Sequence, residues 1–532
     1  MIKNIWLKLN NTVAGGAIII SVAMVISKLL GLIRDRLLFS TFGAGNETDI
    51  YFAAFKLPDL IFNILVLGAL SAAFIPIFIQ YRDKENGSGE HWQIAVTVMN
   101  LVVGAMIILG VLAFIAAPWL VDWIAPGFDG AKQAETIVLT RIMLIAIIFF
   151  GISNVFSGIL NAYRRFVAYS IAPILYNVGI IIGITVMYHW LGLAGLAWGV
   201  VLGAFLHMLI QLPGTLKAGY RHRWLVNWRL SGVKRIGKLF IPRMMGLAVN
   251  QVNFLVITII ATTLVAGSLS IFNAANNLQS FPISVFGVSL AIAAFPLMSQ
   301  AFADRDNEKF VIQFSVAFRR VLFLIIPTSV FILLLRAQIV RVVLGAGAFD
   351  WEDTYLTAQA LGYFSLSLFA QSLIPTLSRS FYALQNTLTP VKVSALSVGL
   401  NVVLSLVLVK YYGVIGLALA FSVASIVNML LLLVLLRRRF GDLDDRKIIQ
   451  SVGRIMLASL IAGIVTWISL RVIALGVDMR TFVGITIQGS LAGLAGLVSY
   501  IIIALVFRFD EVTILRQWVM KVIAPLKNHK SE

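Results

Sequence analysis

The sequence predicts an all-α polytopic membrane protein of about 14 transmembrane helices, arranged as two parallel six-helix repeats followed by a C-terminal helix pair. Three observations predict it. Apolar runs near 20 residues recur from one end of the chain to the other, and a hydrocarbon layer about 30 Å thick takes about 20 apolar residues to cross as a helix. The composition is 60% hydrophobic and 12% charged, which excludes a soluble fold. A stretch of the first half also returns in the second half at a nearly constant offset.

The runs fall at residues 13–39, 57–80, 92–117, 136–160, 168–188, 192–214, 236–264, 270–300, 312–334, 356–382, 390–409, 414–436, 451–475 and 481–507. The first is long, runs on into Arg34 and lacks a cleavage signal of small residues, so it is expected to stay as helix 1 rather than leave as a signal peptide. The loop after the sixth run, "KAGYRHRWLVNWRLSGVKRIGK", holds Lys217, Arg221, Arg223, Arg229, Lys234, Arg235 and Lys238 and no acid, which predicts a cytoplasmic loop. Alternation puts Arg164, Arg165 and the loop "RRRFGDLDDRK" on the same side, with both termini cytoplasmic. The net charge of +19 is therefore read as topology rather than nucleic-acid binding. No cysteine is present, which excludes disulfides, thiolate metal sites and a thiol nucleophile.

The repeat sets the domain organisation. "SGILNAYRRFVAYSIAPILYNVGIIIGITVMYHWLGLAGLA", 157–197, matches "SRSFYALQNTLTPVKVSALSVGLNVVLSLVLVKYYGVIGLALA", 378–420, with Ala162 on Ala383, Gly192 on Gly413 and Gly195 on Gly416. "AFIPIFIQ", 73–80, matches "AAFPLMSQ", 293–300, with Pro76 on Pro296 and Gln80 on Gln300; Pro58 and Pro282 likewise open helices 2 and 8. Six helices per copy is an even number, so both copies enter from the same side, as in transporters whose two bundles rock about a central site. The expected parts are a bundle at 1–214, a basic cytoplasmic loop at 215–235, a second bundle at 236–436, a cytoplasmic linker at 437–450, and helices 13 and 14 with a cytoplasmic tail at 451–532.

Charge inside the first two spans points to the site. In "SKLLGLIRDRLLFSTFGAGNETDIYFAAFKLPD", 27–59, Lys28 falls past the membrane midplane if helix 1 starts inside, and Arg34 falls near the outer boundary. A charge that deep costs at least about 2.5 to 3.5 kcal/mol, so it faces a bundle interior or a watery cavity. Lys28, Gly31 and Asp35 share one helical stripe, with Arg34 and Arg36 on either side of it. Lys28 paired only with Asp35 to fix packing, and Arg34 and Arg36 snorkelling to the interface, are the alternatives. Asp49, Lys56 and Asp59 follow at or near the ends of the second helix. Helix 7 carries the amides Asn250, Gln251 and Asn253, and helix 8 carries Asn273, Asn276, Asn277 and Gln279. Either these bond neighbouring helices or they form the neutral wall of a cavity whose cationic wall is Lys28 and Arg34. Such a cavity suits a pyrophosphate headgroup bearing hydroxyls and amides.

The residues "SKLLGLIRD", "FGAG", "TD", "AFKLP" and "AF.P.F" resemble the lipid II flippase (MurJ/MviN) family of the multidrug/oligosaccharidyl-lipid/polysaccharide exporter superfamily, over essentially the whole chain. The resemblance implies a flippase, not an enzyme. It would move undecaprenyl-pyrophosphate-linked peptidoglycan precursor from the inner to the outer leaflet of the bacterial cytoplasmic membrane by alternating access, with helices 13 and 14 forming a groove for the polyprenyl tail. It implies a substrate cavity with Lys28 (an arginine in the family), Arg34, Asp35, Asp49 and Lys56. The chain departs from the family at Phe62 and Asn277, where arginines are usual, and near Leu67, where an acid is. Implied partners are the lipid-linked precursor, membrane lipids and a coupling cation or anion; no nucleic acid, cofactor, metal or catalytic residue is expected.

Alternatives are a flippase for another polyprenyl-linked oligosaccharide and a cation-coupled multidrug exporter, although the latter favours acids where this chain has cations. An enzymatic reading rests on Asp442, Asp444 and Asp445, a D-x-D pattern flanked by Arg437, Arg438, Arg439, Arg446 and Lys447, which reads as a solvated linker. The histidines at 91, 189, 207, 222 and 529 are too scattered for a zinc site.

Overall fold

The computed structural model describes residues 13–67, 70–83 and 89–512, and the described residues form helices without strands. In chain order the helices are α1 (Val13–Phe42), α2 (Asn46–Phe62), α3 (Leu70–Asp83), α4 (Glu90–Ile124), α5 (Gly130–Ala162), α6 (Phe166–Ile182), α7 (Leu193–Leu209), α8 (Leu212–Lys217), α9 (Ser231–Thr262), α10 (Ser268–Pro282), α11 (Ser289–Ala303), α12 (Asn307–Val343), α13 (Trp351–Ser365), α14 (Leu368–Ala383), α15 (Leu388–Tyr412), α16 (Val414–Phe440), α17 (Asp445–Ala474) and α18 (Phe482–Val506).

Among the described residues ten helical segments are long and apolar enough to cross a membrane, or eleven when α13 and α14, bent by 47° at their junction, count as one span. Three expected spans, those of α1, α2 with α3, and α9, stand outside this number.

The chain forms two compact units, Met1–Ser270 with Ala346–Asp350, and Ile271–Gly345 with Trp351–Glu532. In the first, α9 packs on α3 and α4. Hydrophobic transfer from water does not drive helices together in lipid; close packing and interhelical hydrogen bonds do. The pairing of α6 with α7 shows this: a Cβ on Gly179 would collide with the backbone of Gly203, and one on Gly199 with that of Gly183. Phe74, Phe78, Ile94, Met106 and Phe156 fill the core between α3, α4 and α5. In the second unit Phe310, Phe314 and Phe318 of α12 share a core with Leu373, Leu377 and Phe381 of α14, and α17 and α18 pack on α12 as well.

The turns that end equivalent helices have the same shape in both halves. Gly192 and Gly413, 221 residues apart, adopt φ of 58° and 54°, and Arg164 and Gln385, at the same offset, adopt 56° and 59°. Only glycine enters that region without a steric penalty, which accounts for the glycine pair. Both halves also widen into a π-helical turn at a matched place, Asn63–Leu67 after α2 and Ile283–Val288 after α10, and the first half has a further one at Gly183–Met187. Such turns concentrate at functional sites.

Candidate functional site

α1 brings the principal charges into the first unit. The Arg34 guanidinium donates from Nε and Nη2 to one carboxylate oxygen of Asp35, at 2.9 and 2.7 Å, and from Nη1 to Asn177 Oδ1 of α6 at 3.2 Å. Asn177 is in turn held by Nδ2 bonds to the Ser27 carbonyl at 3.2 Å and the Pro173 carbonyl at 3.1 Å. Asp35 is 7% exposed. A guanidinium has five N–H donors, and two of those on Arg34 have no partner among the described residues. The hydroxyls of Tyr51 and Tyr176 lie within electrostatic reach of the same group.

Lys28 stands about 9 Å from Arg34 along the helix axis, is exposed, and has neither ion pair nor hydrogen bond among the described residues. Asp35 pairs with its neighbour Arg34 and not with Lys28, because the long arginine folds back over the carboxylate. On α2, half-buried Lys56 and exposed Asp59 are electrostatically coupled three residues apart.

Asp49 has a different setting. It is 2% exposed, and its carboxylate accepts from Gly267 N at 2.7 Å, Ser270 N at 2.9 Å and Ser270 Oγ at 2.7 Å, with Lys132 Nζ at 3.4 Å. It therefore occupies the N-terminus of α10, where the first N–H groups of a helix lack internal partners and the dipole favours an anion.

Of the helix 7 amides, the side chain of Asn250 lies outside the described residues, and Gln251 and Asn253 are half-buried on α9. In the second unit Asn276 and Asn277 are half-buried, whereas Gln279 is 1% exposed and belongs to a chain of bonds. Gln371 Nε2 donates to Gln279 Oε1 and to Ser367 Oγ, both at 2.9 Å, Gln279 Nε2 donates to Asn276 Oδ1 at 3.1 Å, and Ser367 Oγ donates to Ser422 Oγ at 2.9 Å. Here the amides bond neighbouring helices.

Phe62 packs its ring 5.0 Å from Phe150, which contacts Tyr176 at 5.1 Å, so an aromatic cluster adjoins the polar residues around Arg34. The D-x-D pattern is committed elsewhere: Asp442 Oδ1 accepts from Asp445 N, Asp445 pairs with Arg437 at 2.7 Å, and Asp444 takes Ser315 Oγ at 2.9 Å and Lys447 at 3.4 Å. The residue that sequence reasoning missed is Asn177, an amide inside the apolar run 168–188; the criterion that singled out the helix 7 amides would have found it.

Two compact units of helices, ten or eleven of them among the described residues long and apolar enough to cross a membrane, with a cationic cluster on α1, have the build of a membrane transporter. The family model described as "Lipid II flippase MurJ" matches residues 38–485, and the chain belongs to that family. Relatives include the "Probable lipid II flippase MurJ" of Vibrio cholerae serotype O1, 30% identical over 462 residues (85% of this chain, 88% of the relative), and the "Lipid II flippase MurJ" of Burkholderia cenocepacia, 30% identical over 464 residues (84% and 88%). Among solved structures, "Lipid II flippase MurJ, inward closed conformation" superimposes with a TM-score of 0.76 at 26% identity, covering 93% of this chain and all of that one. An inward-facing multidrug resistance MATE family transporter of the MOP superfamily, at 18% identity and a TM-score of 0.64 over 81% of this chain and 99% of its own, shares the fold.

Proposed function

We propose that this chain is a flippase carrying undecaprenyl-pyrophosphate-linked peptidoglycan precursor from the cytoplasmic to the outer leaflet of the bacterial inner membrane. In this reading it spans the membrane about 14 times with both termini cytoplasmic. The repeats 1–214 and 236–436 rock against each other, the loop 215–235 and linker 437–450 connect them, and 451–532 carries the extra helix pair. Membership of the flippase family supports the substrate. The observation that carries the site is the cation set of α1: among the described residues Lys28 has neither ion pair nor hydrogen bond, and two donors of Arg34 stay open to an anion.

Lys28 and Arg34 meet the pyrophosphate, and Asp35 with Asn177 holds the guanidinium in position. Lys56, Gln251, Asn253, Asn276 and Asn277 contact the glycan or peptide, while Asp49 and Gln279 support the helices that present them. A coupling cation or anion, or the membrane potential, drives the return step. The tail has a fitting surface in the second unit, an apolar groove of about 640 Å³ between α12 and α17 lined by Val330, Leu333, Leu334, Met456, Leu460 and Trp467.

Expression in a bacterium depleted of its own lipid II flippase tests this, scoring survival and outer-leaflet lipid II. Rescue is expected. Absence of rescue by a well-inserted protein overturns the substrate and favours another polyprenyl-linked oligosaccharide, the reading that Phe62 and Asn277 in place of arginines supports.

A further inference from the structure

The loop between α8 and α9 does more than record topology. Residues 221–229, "RHRWLVNWR", form an extended strap with Arg221, Arg223 and Arg229 exposed and with Trp224 and Trp228 at 88% and 64% exposure. Two tryptophans left that bare in a segment without secondary structure call for an apolar or interfacial partner. The strap is not loose. Asn100 Nδ2 of α4 donates to the carbonyls of Arg223 and Leu225, both at 2.9 Å, and Asn227 N donates to Thr97 Oγ1 at 3.3 Å. Asn227 Oδ1 also accepts from Arg229 N at 3.0 Å, and the His222 ring packs edge-on against Trp224 at 4.8 Å.

These bonds give the strap a height on α4. From Asn100, α4 runs through exposed Ile108, Leu112 and Ile115 to Trp119 and Trp123, which are 69% and 79% exposed. At 1.5 Å per residue the distance from Asn100 to Trp119 is about 29 Å, close to the hydrocarbon thickness. The two tryptophan levels therefore bracket a lipid-facing band as interfacial aromatic residues do, with the strap at the basic end.

We infer that the strap 221–229 binds the anionic phospholipid headgroups of the cytoplasmic leaflet, Trp224 and Trp228 lying among the headgroups and Arg221, Arg223 and Arg229 on their phosphates. Charge complementarity favours this occupant: from Lys217 to Lys238 the chain has seven cations and no acid. Each cation near an anionic surface contributes a preference of about fivefold. An acidic protein would satisfy the arginines but gives no reason for the tryptophans to sit one bilayer thickness from Trp119.

The chain has no cysteine, so Val226→Cys, at an exposed position of the strap, takes a unique spin label in the full-length protein. The labelled protein is reconstituted in vesicles of phosphatidylcholine alone and of phosphatidylcholine with phosphatidylglycerol, and collision of the label with a water-soluble nickel reagent is measured. A severalfold lower collision rate in the anionic vesicles is expected, lost in Arg221→Gln/Arg223→Gln/Arg229→Gln and lost in high salt, which screens surface charge. Equal rates in the two lipids overturn the inference, as does a difference that survives both the triple substitution and salt. Should the triple variant fail to insert, the salt arm on the unsubstituted strap decides.

Discussion

α2 and α10 occupy matched places in the repeat and treat polarity in opposite ways. At the offset of 220 that aligns Gln80 with Gln300, Lys56 and Asp59 of α2 stand where Asn276 and Gln279 stand in α10. The first pair is charged and electrostatically coupled, with Asp59 exposed; the second is neutral, and its Gln279 is buried in a bonded chain that reaches Ser422. The same contrast separates the Arg34–Asp35–Asn177 cluster, which keeps donors open among the described residues, from the amide network, whose Gln371–Gln279 and Ser367–Ser422 bonds run between helices. An amide in lipid is satisfied by a neighbouring helix, but a cation needs a counter-charge or water, so the charged cluster of α1 is the one equipped to recognise an anion.

The largest expected effect comes from inverting that charge. Arg34→Glu places two carboxylates side by side and leaves Asn177 Oδ1 without its donor, so flipping, scored by complementation, should fall at least about a hundredfold, equivalent to about 2.7 kcal/mol, with the protein still inserted. Full activity would sink the role given to the cluster. Asp49→Asn comes next. It removes a carboxylate from four donors and turns an NH₂ toward N–H groups, which should cost about 2 to 3 kcal/mol in a thermal melt of the detergent-purified protein. An unchanged melting temperature would remove Asp49 as the cap of α10.

Gln279→Leu sharpens the contrast from the other half. Breaking the amide chain leaves Gln371 with a lost acceptor and should destabilise by about 1 to 2 kcal/mol, while transport at a permissive temperature stays near the parent level. A specific loss of transport with unchanged stability would instead assign Gln279 to the substrate. Lys28→Gln has the smallest structural effect, within about 0.5 kcal/mol, since the ammonium makes no contact among the described residues. Its flipping rate should nonetheless fall about tenfold, and Lys28→Arg should restore it. Equal loss of stability and activity in Lys28→Gln would show a packing role.

Several particulars were legible in the chain. The glycines at 192 and 413 and the charged content of α1 followed from composition and spacing, since a backbone at positive φ and an ion in hydrocarbon each restrict which residues are tolerated. Two site assignments were not legible in the same way. Asp49 reads as one more charge beside a membrane span, and only the approach of the 267–270 backbone makes it a helix cap. Gln279 reads as one more cavity amide, and only Gln371, 92 residues away, makes it part of a bonded chain.

The sequence by itself determined the helical class, the repeat and which helix sets cations inside an apolar run, because hydropathy, glycine spacing and charge are properties of the residues wherever they fold. Tertiary structure alone decided which polar groups were satisfied and which stayed open. Satisfaction depends on partners such as Asn177 for Arg34 and Ser270 for Asp49, more than a hundred residues away, and a hydrogen bond is a matter of ångströms that no local pattern encodes.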